Sequence, residues 1–170
     1  IFEKDFTEVV KMEYEIRRRW DMKMAIFDED GNQISPDWFD SIWEYGLFEG
    51  RSVYYAAKKN GKFAIFDVNG NMITPEWFDM VNAYILIIGK SNYYIARKNN
   101  KYAIFDKDRN QISQWFDYIW EDGLVSGESD YYIACKDKTC AVYHKNGQKV
   151  SEDFSIKYFD VRVYKATFNE

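Results

Sequence analysis

Short apolar runs separated by polar, turn-forming clusters set the pattern of this chain. Between Gly61 and Asn100 the runs predict four strands, at about Lys62 to Phe66, Asn71 to Thr74, Met80 to Ile88 and Asn92 to Lys98. Runs of this length bounded by Gly, Pro, Asn and Asp read as strands. Asn60-Gly61 is the preferred type I′ pair, because both positions need positive φ, and Asn99-Asn100 and Asp137-Lys138 occupy the same place, so a tight hairpin is expected at each. The segments Asp28 to Gly31, Asp67 to Gly70 and His144 to Gly147 fit a type I turn closed by a left-handed Gly. Arg109 breaks that pattern and requires either strain or a different turn.

The pattern repeats. Aligning AIFDEDGN, AIFDVNGN, AIFDKDRN and AVYHKNGQ puts Ala25, Ala64, Ala103 and Ala141 in register, at offsets of 39, 39 and 38 residues. A second landmark places Trp38, Trp77 and Trp115 each before Phe-Asp, and the third copy lacks the Pro that accounts for its missing residue. A third landmark, VYYAAKKN, NYYIARKN and DYYIACKD, closes each copy, preceded by Gly-x-Ser at Gly50 and Ser52, Gly89 and Ser91, Gly127 and Ser129. The division that follows is a partial repeat or cap over 1–22, copies over 23–60, 61–100 and 101–138, and a degenerate copy or cap over 139–170. Residues from about Phe6 to Trp20 are expected to supply the first strands, and Phe159 to Phe168 a last one.

The fold class expected is all-β: tandem antiparallel hairpin or meander repeats in an open, solenoid-like stack, with a small propeller-like ring as the alternative. Composition agrees, since 46% hydrophobic and 19% aromatic residues are far from a disordered chain and stiff, broad side chains suit a pleated sheet. The net charge of −5 with interspersed signs argues against nucleic acid as a partner, and Arg17-Arg18-Arg19 reads as a solvated hairpin end. No stretch approaches the ~18 apolar residues that would span a bilayer, so no membrane insertion is expected.

The string GKFAIFDVNGNMITPEWFDMV, Gly61 to Val81, resembles the WG repeat family, whose units run roughly Gly-Lys-Trp-Gly-Leu-Ile-Asp, Asn-Gly-Lys, then Ile-Pro-Pro-x-Tyr-Asp. The resemblance extends over about Lys23 to Gln148. It departs in the name-giving dipeptide, which here is Met24-Ala25, Phe63-Ala64, Tyr102-Ala103 and Cys140-Ala141, where only the small second residue is kept. It implies a binding or spacer module of a mostly bacterial family, without shared catalytic residues.

The residue inventory disfavours an enzyme. His144 is the only histidine and sits at a turn position that holds Asp in the other copies, which leaves no base for a Ser-His-acid arrangement. One His and two Cys are too few for a usual zinc site, and DEDGN and DVNGN lack the distal Glu and Gly spacing of a calcium loop, so no cofactor or metal is expected. A carboxylate-based glycoside hydrolase survives as a distant third reading, but Asp40, Asp79 and Asp117 recur in every copy, as corner residues accepting backbone hydrogen bonds would.

Binding is the expected role. The pairs Tyr54-Tyr55, Tyr93-Tyr94 and Tyr131-Tyr132 put one ring on each sheet face, one of each pair being core and the other available for a ladder. Trp43 and Trp120 share one register position, held by Asn82 in the middle copy. These residues are expected to engage a protein partner, with a glycan or cell-wall polymer as the alternative. Cys135 and Cys140 face each other across the Asp137-Lys138 turn, within reach of a disulfide in an oxidising compartment and free in a bacterial cytosol.

Overall fold

The computed structural model describes residues 13–155. They form four small antiparallel sheets in chain order. Strands β1 (Tyr14–Arg18) and β2 (Met24–Asp28) make the first, and β3 (Ser41–Trp43), β4 (Tyr54–Lys59) and β5 (Lys62–Asp67) the second. The third holds β6 (Met80–Asn82), β7 (Tyr93–Lys98) and β8 (Lys101–Asp106), and the fourth β9 (Tyr118–Ile119), β10 (Tyr131–Lys136) and β11 (Thr139–His144). The strands expected before Glu13 and at Phe159 to Phe168 lie outside the described residues.

The hairpins form where the turn residues put them. Asn60 and Gly61 lie at φ 51° and 77°, Asn99 and Asn100 at 51° and 59°, and Asp137 and Lys138 at 51° and 66°, as a type I′ turn requires. Arg109 keeps the same turn as its glycine counterparts, its φ of 73° against 80° at Gly70, so the copy carries the strain rather than a different turn.

Two strand expectations are corrected. Of the run Met80 to Ile88 only β6 is extended, and Tyr84–Ile87 forms one helical turn, α2, matched in the previous copy by α1 (Tyr45–Phe48). Ala83, Leu86 and Ile87 are buried together, the three- and four-residue spacing of a helical face. The Gly-x-Ser segment ends this turn. The N–H of Gly89 donates to Leu86 O at 3.0 Å and that of Lys90 to Ile85 O at 3.0 Å, a left-handed helix stop that recurs at Gly50-Arg51 and Gly127-Glu128. The serine then reopens the strand, with the N–H groups of Tyr54, Tyr93 and Tyr131 donating to Ser52, Ser91 and Ser129 Oγ at 2.9, 3.1 and 3.2 Å.

The second correction concerns Asn71 to Thr74, which is no strand. It touches β5 only through a bridge between Phe66 and Met72 and a bond from Ile73 N–H to Ile65 O at 2.7 Å, before Pro75 turns the chain. A proline restricts the residue before it and cannot donate to a ladder, which ends the pairing. The corner then returns, Phe78 bridging Phe63 as Phe39 bridges Met24, Phe116 bridges Tyr102 and Phe154 bridges Cys140.

Both faces of the inner sheets are buried, because alternate residues enter different cores. Ala57, Ala64 and Phe66 share a core with Ile26 of the first sheet, while Ala56 and Ile65 share another with Tyr94, Ala96 and Ala103 of the third. Ala57 faces Ala64 and Ala96 faces Ala103 directly across their hairpins. Each such pair sits in the cluster that holds an isoleucine of the sheet before it, Ile26 for the first and Ile65 for the second, and Ile104 joins Ala134 in the same way. A side chain larger than a methyl at the alanines would fill the space this isoleucine uses.

Candidate binding surfaces

The recurring acids are hairpin clamps. One oxygen of Asp40, Asp79 and Asp117 accepts the tip N–H of Asn60, Asn99 and Asp137, at 2.8, 2.9 and 2.7 Å, while the other meets Lys23, Lys62 and Lys101. The lysine bond first, then the tip N–H, hold all three carboxyls below the usual aspartate range. His144 likewise does turn work: its Nδ1 accepts the N–H of Asn146 at 3.2 Å, as Asp67 Oδ1 accepts that of Asn69. Among the described residues no cluster of His, Cys, Asp and Glu is arranged to hold a metal ion. No helix there is long and apolar enough to cross a membrane.

The tyrosine pairs divide between the two sheet faces, one ring of each pair lying in a core. Tyr55, Tyr94 and Tyr132 are buried and stack on Phe66, Phe105 and Tyr143, so none can touch a partner from solvent. Burial raises all three hydroxyls, Tyr132 to about 12. Their neighbours are half-buried: Tyr54 and Tyr93 pack on the cores between sheets and Tyr131 on the core of the fourth sheet, and Tyr93 and Tyr131 line a surface cleft of about 610 Å³. At Tyr54 and Tyr93 a neighbouring sheet lies over the face that was expected to be open.

Trp120 packs on the last core beside Cys135 and Cys140 and meets Tyr118 edge-on at 4.7 Å. The two cysteines are bonded, facing each other in β10 and β11 with Cα atoms 4.0 Å apart, and both are buried.

Trp43 borders a groove of about 290 Å³ between the second and third sheets. Its walls are Trp43, Tyr45, Ala56, Phe63, Val81 and Tyr84, with Ala83 and Ile87 below, and the lining holds no carboxylate. Tyr45 and Tyr84 stand 59% and 58% exposed. The groove exists because β4 carries Ala56 where β7 and β10 carry Ile95 and Ile133, both buried. Gly46 makes the close approach of α1 to α2 possible, since a Cβ there would lie 1.5 Å from Ile87 O. The sequence held this signal in the one small residue of an otherwise aliphatic register position, and Tyr45, Tyr84, Phe63 and Val81 were missed.

Two further clefts open beside the hairpin tips. One, of about 480 Å³, is lined by Pro36, Asp37, Lys59, Asn60, Lys62 and Trp77, and the other, of about 500 Å³, by their counterparts Pro75, Glu76, Lys98, Asn99, Lys101 and Trp115. Lys59 pairs with Asp37, and Lys98 with Glu76 at 2.7 Å. Trp77 and Trp115 are half-buried and pack against core phenylalanines, so each indole serves the core and lines a cleft at once.

No protein-family model matches the chain and no curated protein matches it. The likeness to WG repeats rests on the sequence landmarks alone.

Proposed function

We propose that this chain is a non-catalytic repeat scaffold of WG-repeat type, an open solenoid-like stack of antiparallel copies that binds a partner protein through the groove between α1 and α2. The observation carrying the reading is that groove: apolar, bordered by exposed Tyr45 and Tyr84, and present at one sheet junction through Ala56. Aromatic residues around a small apolar recess are what a partner's aliphatic or aromatic anchor fills. A non-catalytic role is supported by acids that clamp hairpins in successive copies, by a histidine committed to a turn, and by a groove without a titratable acid. The stack is supported by the shared cores, in which the isoleucine of one sheet meets the alanines of the next.

The test is an affinity capture from native lysate with the tagged chain and with Ala56→Ile, which installs the residue that β7 and β10 carry and fills the groove without touching the surface around it. The expected result is a stoichiometric protein retained by the parent and lost by the variant at equal thermal stability. Capture of nothing, or equal capture by both, overturns the reading.

A further inference from the structure

The clefts at the hairpin tips carry chemistry of a different kind from the groove. We infer that they are adjacent subsites of one binding track for a neutral, β-1,4-linked glycan chain, with one pyranose ring resting at Trp77 and another at Trp115.

Each cleft holds one indole in the same pose. Trp77 tilts against Phe39 and Phe66 at 6.2 and 5.8 Å, 52° and 58° from their planes. Trp115 tilts against Phe78 and Phe105 at 6.3 and 6.0 Å, 56° and 62° from their planes. Held between two phenylalanines, the indole loses little entropy when a ligand lands on it. The apolar C–H face of a pyranose is the surface such a ring takes.

The polar fringe favours an uncharged ligand. In each cleft one lysine is paired with an acid of the corner, Lys59 with Asp37 and Lys98 with Glu76, and a second with the tip clamp, Lys62 with Asp79 and Lys101 with Asp117. A charged ligand has to compete with these pairs for its contacts. A polyol does not, because hydroxyls donate to the remaining carboxylate lone pairs and accept from the remaining ammonium protons while the pairs stay intact. Arg109 and Gln111 add donors at the second cleft.

Spacing then selects the polymer. The two indoles belong to successive copies whose sheets share a core, and sheets packed face to face lie ~10 Å apart. An extended β-1,4-linked chain advances by about two rings over that length, so the same ring face returns at each cleft, whereas a coiled α-linked chain turns away. The track has ends: Arg19 covers Trp38, its guanidinium 5.2 Å from the ring centre, and the fourth copy carries Asp153 where the others carry tryptophan. Volumes near 480 and 500 Å³ lie in the range of small-ligand sites.

The experiment is calorimetric and fluorescence titration of the full chain with hexasaccharides of β-1,4-linked glucose and of β-1,4-linked N-acetylglucosamine, with α-1,4-linked glucose hexasaccharide and free glucose as controls. One of the β-linked chains is expected to bind with a change in tryptophan emission, both controls binding at least about tenfold more weakly. Trp77→Ala and Trp115→Ala are each expected to weaken it about tenfold or more. Because both indoles also support the core, Glu76→Gln with Lys98→Met supplies a variant at exposed positions, expected to keep the thermal midpoint and still lose affinity. Absence of binding by both β-linked chains, equal binding of the α-linked one, or binding indifferent to all these substitutions in folded protein overturns the inference. Ala56 lines neither cleft, so Ala56→Ile tests the groove and the tryptophan and Glu76/Lys98 variants test the track, and the two readings fail separately.

Discussion

The two sides of the repeat differ in how they use the same period. At the hairpin tips an aspartate clamp, a paired lysine and an indole return from copy to copy, and the clefts they form are near duplicates. At the helical turns the copies diverge: Trp43 becomes Asn82, Ala56 becomes Ile95, and the third copy has hydrogen-bonded turns in place of a helix. The tip side is built from residues whose job is to close a turn, so the same residues serve each time. The helical side only has to fill space between sheets, and the junction underfilled at Ala56 leaves the groove there. Repetition and uniqueness in this molecule thus come from different constraints.

Glycine substitution separates these constraints most sharply. Gly46→Ala drives a methyl into Ile87 O, against backbone of the next copy, and is expected to cost about 3 kcal/mol in denaturant unfolding. Gly61→Ala meets nothing within 4 Å and pays only for its φ of 77°, about 1 kcal/mol. Equal losses at the two sites would show that contact between copies does not govern the helical side.

Smaller effects are expected at the corner hydroxyls. Ser35 and Ser113 Oγ accept the N–H groups of Ile26 and Ile104 at 3.1 and 2.8 Å, whereas the buried Thr74 hydroxyl of the middle copy has no partner. Ser113→Ala is expected to lower stability by about 2 kcal/mol, and Thr74→Val, of the same shape, to raise it by about 1 kcal/mol. A loss on Thr74→Val would mean that this hydroxyl is satisfied in solution.

The clamps supply the pH dependence. Their carboxyls are held below the ordinary value of 3.8, so their contribution is complete above that value and is lost as pH falls through the lowered folded-state range. Asp79→Asn and Asp117→Asn are expected to be less stable than the parent near neutral pH, with the difference shrinking in acid as the parent's carboxyls protonate. Circular dichroism across an acid titration checks this, and a pH-independent difference would remove the clamps from the account.

The turns were legible because their chemistry is local: Asn-Gly needs only its own dihedrals, and the period of the landmarks fixed where each copy begins. The helical turns were not, because an apolar run such as Ala83 to Ile88 satisfies strand and helix alike, and the glycine that decides between them also resembles a hairpin tip. The tyrosine pairs were half legible. Alternation placed one ring on each face, but only packing between sheets reveals that both faces of the second and third sheets are covered. For the groove, the informative comparison was between copies at a single position, Ala56 against Ile95 and Ile133.

The alanine pairs have a consequence beyond packing. A sheet with isoleucine on one face and paired alanines on the other is a polar building block, and such blocks join head to tail. Head-to-tail contacts do not close by symmetry and would continue from molecule to molecule unless an end were made unlike the rest. On the isoleucine face of the fourth sheet, the partners Lys58–Phe63 and Arg97–Tyr102 of earlier copies are replaced by Cys135–Cys140, buried with Trp120, Tyr131 and Phe154 packed alongside. That substitution makes this face unlike the isoleucine faces of the second and third sheets, which share a core with the sheet that follows.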